Sequence, residues 1–223
     1  MTAESNKQAI FTAMREAIEK YDSEAATEAA KQAVASGIDL LEAVEKGFAG
    51  PIRKLGEAFD RMEIFLPQLM LGSDAMKAGM TILEEAITAA GGRIQSKGAV
   101  VIGTVEGDIH DIGKTVVAAL LQANGYSVHD LGVEVPASRF IEAAESRKAD
   151  IIAMSALLST TMLYQRDVVE LLGNKSLREQ YFALVGGAPV TQAWAEEIGA
   201  DGYARGPYEA VQLLDGKKEA WAE

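Results

Sequence analysis

The chain has 223 residues and 48% apolar side chains, enough for one large domain or two small ones. It has no apolar run of the roughly 18 or more residues that a membrane-spanning helix needs. A net charge of −12 argues against nucleic acid or an anionic membrane as partner. Cysteine is absent, which excludes disulfides, thiolate metal sites and a cysteine nucleophile. The opening MTAESNKQAI has no basic segment followed by an apolar one, so a reducing cytoplasm is the expected location.

Residues 1–92 read as a helical domain. Ala9, Ile10, Ala13, Met14, Ala17 and Ile18 recur at helical spacing, and so do Ala25, Ala26, Ala29, Ala30 and Ala33. A third stripe carries Leu40, Leu41, Val44, Phe48, Ile52, Leu55 and Phe59, and a fourth Leu69, Met76, Met80, Leu83 and Ile87. Asp22-Ser23 and Asp39 are expected starts, and Gly37 and Gly91-Gly92 expected stops. Four helices with short connections make a bundle. Gly91 to Gly98 (GGRIQSKG) reads as a linker and a natural hinge.

Residues 93–223 change rhythm. Strands are expected at Ala99–Thr104, Ser127–Leu131, Ile151–Ser155, Phe182–Val185 and Gly202–Ala204. Helices fall between them near Ile112–Ala123, Ala137–Lys148, Thr161–Leu172 and Thr191–Ile198, with a last one from Pro207. Strand and helix in alternation imply a doubly wound parallel sheet of five strands. Ligands of such sheets bind at the carboxyl ends of the strands, near the topological switch point. The loop Glu106–Gly113, after the first strand, sits there.

That loop ends in Gly113-Lys114-Thr115, like a phosphate-binding loop. However, Gly107 and Gly113 enclose one residue more than that motif allows, and Asp108 and Asp111 would repel phosphate. The dinucleotide spacing G-x-G-x-x-G is absent. A hydrolytic metal site could use Asp108, His110 and Asp111, but the only other histidine, His129, lies at the end of the second strand. A lone His110 would ordinarily be a satisfied loop histidine. A wider pattern competes with that reading.

Asp108-Ile109-His110-Asp111-Ile112-Gly113 matches D-x-H-x-x-G, and Ser155-Ala156-Leu157 and Gly186-Gly187 follow in order at strand ends. This three-part signature resembles that of cobalamin-binding domains. Ala58 to Met76 (AFDRMEIFLPQLMLGSDAM) is similar to the helical cap of methyl-carrying corrinoid proteins, with Phe59 and Leu66 at positions that shelter the upper face of the corrin. By composition alone Phe59, Leu66 and Met70 would be bundle core. From about residue 5 to 215, the chain resembles the corrinoid protein of a methyltransferase system and the cobalamin-binding module of methionine synthase.

The resemblance implies a four-helix cap on a Rossmann-like, flavodoxin-like sheet domain. It implies a bound cobalamin or related corrinoid, base-off, with His110 as lower cobalt ligand and cycling between methylcob(III)alamin and cob(I)alamin. A neutral imidazole is a suitable donor, and its second nitrogen would be held by Asp108. Thr161 stands where relatives carry a relay serine, with Ser159 nearby. The Asp108–His110 pair would take up a proton as cobalt reaches the (I) state. Glu106, Gly107, Ile109, Asp111, Ile112, Gly113, Ser155, Leu157, Gly186 and Gly187 would complete the cofactor contacts, with small residues and Ala188 lining a slot for the nucleotide tail. Gly206 replaces a polar residue of many relatives, which removes one side-chain contact to the tail.

The implied function is that of a methyl carrier that is not self-sufficient. A substrate-specific methyltransferase would load it, and a second methyltransferase would pass the methyl to a pterin or thiol. A reductive activation protein is a further possible partner. Methylamine or quaternary amine is the favoured donor class, with methanol and aryl methyl ethers possible. A cobalamin-dependent sensor is the alternative, disfavoured by the short segment before the bundle and by the negative charge. An adenosylcobalamin mutase subunit would lack the cap.

Overall fold

The structure is a computed structural model and describes residues 3–90 and 96–221. The chain divides into two units, Met1–Gln95 and Ser96–Glu223. Residues 91–95 of the expected linker lie outside the described residues, as does the Gly91-Gly92 stop.

The first unit is built from α1 (Ala3–Glu19), α2 (Ser23–Ala35), α3 (Leu40–Ala43), α4 (Gly50–Asp60) and α5 (Leu66–Ala89). The aspartates set the starts. The Asp22 carboxylate accepts from the Ala25 N–H at 2.9 Å, and that of Asp39 from the Leu41 and Glu42 N–H groups at 2.9 and 3.1 Å. The third expected stripe is interrupted, because a π-helical segment, Val44–Ala49, joins α3 to α4. Pro51 gives the reason. It brings no N–H, and its ring crowds the carbonyl four residues back, so the ladder widens there. The wider turn still buries Phe48 and Ile52 beside Phe11, Met14, Ile18, Leu69 and Leu83.

Gly79 lies inside α5, where glycine costs about 1 kcal/mol relative to alanine. A Cβ there would stand 2.3 Å from the buried Phe48 ring and 3.1 Å from the Ala26 carbonyl oxygen. Gly79→Ala is expected to destabilise this unit by about 1–3 kcal/mol, since overpacking outweighs the propensity gain. Urea unfolding of the purified protein would show a midpoint that falls; a rise would mean that the helices separate freely.

The second unit has β1 (Ala99–Thr104), α6 (Ile112–Ala123), β2 (Ser127–Asp130), α7 (Ala137–Arg147), β3 (Ile151–Ser155), α8 (Leu163–Asn174), β4 (Phe182–Gly186), α9 (Gln192–Ile198), β5 (Gly202–Ala204) and α10 (Pro207–Trp221). The sheet is parallel, in the order β2-β1-β3-β4-β5, the flavodoxin-like arrangement. Helices cover both faces of such a sheet, so its strands are continuous apolar runs. Val100, Val101 and Ile102 in β1, Ile151 to Met154 in β3 and Phe182 to Val185 in β4 are all buried. The order reverses at β1, which pairs with β2 on one side and β3 on the other, and the carboxyl ends of strands at such a switch point are where ligands of these sheets bind.

Candidate functional site

β1 is apolar until its last residues, Gly103 and Thr104, and the chain then turns sharply. Gly107 takes φ +74°, as a type II turn requires at its third position, and the Asp108 N–H donates to the Val105 carbonyl at 3.2 Å. The turn drives the Asp108 side chain inward to 0% exposure. The Asp108 carbonyl accepts from the Glu134 N–H at 3.0 Å, and the Thr104 hydroxyl donates to the His110 carbonyl at 2.9 Å. Ile112 then begins α6. The backbone beneath His110 is therefore tied on two sides.

The Asp108 carboxylate meets only donors. Its Oδ1 accepts from the His110 N–H at 3.1 Å and lies 2.7 Å from His110 Nδ1. Its Oδ2 accepts from the Leu157 N–H at 2.7 Å, the Thr161 hydroxyl at 2.6 Å and, more weakly, the Leu158 N–H at 3.4 Å. Burial by itself pushes this carboxyl up. The hydrogen bonds from Thr161, Leu157 and His110 outweigh it and hold Asp108 well below the ordinary aspartate range. In the neutral imidazole an ionised Asp108 selects the tautomer with the proton on Nδ1 and the lone pair on Nε2. The His110 side chain is 46% exposed, so that lone pair is open to a ligand.

Thr161 has one hydroxyl proton, and the shorter contact directs it to the carboxylate rather than to the Leu158 carbonyl at 3.0 Å. Thr161→Val removes that donor at nearly constant shape. It is expected to cost about 1.5–3 kcal/mol, the range for a hydrogen bond to a charged group, while Thr161→Ser keeps the bond. Denaturant unfolding of both variants checks this.

Ser155 closes β3, and its carbonyl accepts from the Val105 N–H at 3.0 Å. Around His110 the side chains of Ile109, Ile112, Leu157 and Leu158 are exposed and apolar. Gly113 faces open space, with nothing within 4 Å of a Cβ built there. Gly187 has φ +123°, and its Cβ would fall 1.8 Å from the Ala156 carbonyl oxygen; that of Gly186 would be 3.0 Å from the Ala204 carbonyl oxygen. Glu106, Asp111 and Ser159 are exposed, and Asp111 takes the N-cap position of α6 without a side-chain bond to it. Phe59 and Leu66 belong to the first unit. They are half-buried rather than core, on either side of a turn that exposes Met62 at 82% and Phe65 at 75%.

The rival readings find no support. Lys114, which a phosphate loop would aim at its ligand, is buried and paired with the Asp130 carboxylate. Among the described residues no three His, Cys, Asp or Glu side chains are grouped to hold a metal ion. His129 lies half-buried in β2 opposite Val101. No helix among the described residues is long and apolar enough to cross a membrane. Three groups at the site escaped the sequence reading: Thr104, the Leu158 N–H and Gln165. The available signals were a polar residue ending an apolar strand and a glutamine on the apolar stripe of α8.

Two matches fix the class. Family models described as B12 binding domain match residues 98–212 and residues 10–84, and the chain belongs to this family of corrinoid proteins. It is 47% identical over 197 residues to dimethylamine corrinoid protein 2 of Methanosarcina acetivorans, covering 86% of this chain and 89% of that one. It is 42% identical over 210 residues to trimethylamine corrinoid protein 1 of the same organism, covering 94% and 97%. Among solved structures, the methanol:cobalamin methyltransferase complex of Methanosarcina barkeri superposes with a TM-score of 0.82 at 30% identity, covering 97% of this chain and 83% of that one.

The site geometry fits a corrinoid. It offers one imidazole nitrogen backed by a carboxylate, an exposed apolar floor around it, and glycine where a side chain would intrude.

Proposed function

We propose that the chain is a corrinoid methyl carrier serving a methylamine methyltransferase, with His110 Nε2 as the lower ligand of a base-off corrinoid. The Asp108–His110–Thr161 relay, with its one exposed nitrogen, carries this reading. When bound, the corrinoid supplies a cobalt centre able to accept a methyl group and release it. Asp108 fixes the imidazole tautomer and orientation, and Thr161 with the Leu157 N–H keeps Asp108 ionised. Ile109, Ile112, Leu157 and Leu158 offer an exposed apolar surface that would exclude water once a corrinoid covered it. Gly113 leaves open space beside His110, and Gly186 and Gly187, packed on the Ala204 and Ala156 carbonyls, form the turn against which the nucleotide tail would lie.

The dimethylamine and trimethylamine relatives support a methylated amine as donor. The partners are then a substrate-specific methyltransferase, a second methyltransferase acting on a pterin or thiol, and a reductive activation protein. The lack of cysteine supports a cytoplasmic setting. The test mixes apo-protein with hydroxocobalamin, removes free cofactor and records the absorption spectrum beside His110→Ala. Retained cofactor with a spectrum changed by the substitution is the expected result. No retained cofactor would overturn the reading. Loaded protein mixed with dimethylamine, trimethylamine or methanol and the corresponding methyltransferase then assigns the donor.

A further inference from the structure

Gln165 is a fully buried polar side chain, 0% exposed, in the first turns of α8. A buried amide is retained only where its bonds are met, and these are. Its Nε2 donates to the Met154 carbonyl on β3 and to the Gly186 carbonyl at the end of β4, both at 3.1 Å. Its Oε1 accepts from the Trp194 indole N–H of α9 at 3.0 Å, which fixes the way the amide points. Arg166 stacks over the Trp194 ring, 4.7 Å from its centroid, and pairs with Glu197. The amide therefore ties two adjacent strands to one another and to α9.

The place of these bonds matters more than their number. The Gly186 carbonyl also accepts from the Ala156 N–H at 3.2 Å. The next residue, Leu157, gives its N–H to Asp108 at 2.7 Å. On the other side, Gly187 presses so closely on Ala156 that no Cβ fits between them. Gln165 thus holds, from beneath, the one point where the Gly186-Gly187 turn and the support of Asp108 meet. α8 could have filled that space with leucine, as it does at Leu172. A leucine would leave the two carbonyls free to tilt.

We propose that Gln165 is a positioning residue that sets the Gly186-Gly187 turn at the depth the nucleotide tail of a corrinoid requires. This rests on the function proposed above and adds a residue to it. Gln165 bonds the Gly186 carbonyl directly and reaches Asp108 only through Ala156 and Leu157, so its effect falls first on the turn and the tail it would hold. A corrinoid with a tail loses affinity when the turn is released, whereas one without a tail gains nothing from the turn and loses little.

The experiment measures dissociation constants of hydroxocobalamin, which has the tail, and cobinamide, which lacks it. It uses the whole protein, Gln165→Met and Trp194→Phe, each checked for a cooperative melt. Gln165→Met should weaken hydroxocobalamin about tenfold or more, the scale of second-layer changes at metal sites, and cobinamide by less than about threefold. Trp194→Phe keeps the amide but frees its orientation, and should give a smaller loss with the same preference; it serves alone if Gln165→Met does not fold. Equal weakening of both corrinoids would reduce Gln165 to a packing residue and overturn the proposal. So would unchanged hydroxocobalamin binding. If the unsubstituted protein binds neither corrinoid, the functional reading itself fails, an outcome distinct from both.

Discussion

Asp108→Ala is expected to cost about 3–5 kcal/mol of stability, the range for removing one partner from a buried charged network. The size follows from what is left behind. The His110 and Leu157 N–H groups point at the carboxylate, and each buried donor left unmet costs about 1–3 kcal/mol, while the Thr161 hydroxyl can turn to the Leu158 carbonyl. Asp108→Asn should fare little better despite its shape. Each carboxylate oxygen faces a backbone donor, so the amide NH2 would oppose the His110 N–H or the Leu157 N–H whichever way it turned.

The same group gives a pH signature. Asp108 titrates in the folded chain below its ordinary value of 3.8, because its hydrogen bonds outweigh the upward push of burial. Its stabilisation is therefore present in full above that value and is lost as pH falls below it towards the lowered one. Urea unfolding of the apo-protein at descending pH should show the loss in the native sequence and a shallower slope in Asp108→Ala. Equal slopes would mean that the carboxyl is not held ionised by these donors.

Gly187→Ala is the second large effect. The added methyl would lie 1.8 Å from the Ala156 carbonyl oxygen, 2.7 Å from its carbon and 2.9 Å from its nitrogen, and φ +123° is strained for any side chain. Nothing flexible can yield there, so one of the two strand ends must move. A loss of about 3 kcal/mol or more is expected by denaturation, together with weakened corrinoid binding. Gly113→Ala is the informative contrast. Its Cβ meets nothing in the chain, so stability should hold or rise by up to about 1 kcal/mol. A fall in hydroxocobalamin affinity in that variant would place the cofactor against Gly113.

The fold was legible where one local rule decided the outcome. Ala99–Thr104, Ile151–Ser155 and Gly202–Ala204 are strands with the expected ends, and Ile112–Ala123 is a helix with the expected ends. Asp22 and Asp39 cap helices, because an aspartate before an apolar stripe has few other uses. Departures arise where tertiary contacts overrule local preference. The helix expected from Thr161 starts at Leu163, since Thr161 is engaged in the turn that reaches Asp108. The stripe from Leu40 to Phe59 hides the π-helical segment because a period count tolerates one displaced residue.

At the site, the motif brought Asp108 and His110 forward, but their alignment depends on groups about fifty positions away. The Leu157 and Leu158 N–H groups carry no side-chain signal at all. Gln165 could be noticed only as a polar residue out of place, and its three partners lie on three different elements. Sequence patterns report faces and ends of elements; they do not report which distant amide meets which carboxylate.

β1 lies between two strands made after it, and this has a consequence for synthesis. As the chain leaves the ribosome, the helical unit emerges first, and its helices close on near neighbours. The Asp108 turn appears next, but its carboxylate lacks Thr161 and the Leu157 N–H until β3 and the turn after it have also emerged. Until then the acceptor beside the His110 imidazole is held only by the neighbouring His110 N–H. A nascent chain halted before residue 161 would carry the whole D-x-H-x-x-G signature without the orientation that gives it meaning, so cofactor capture waits for the later strands.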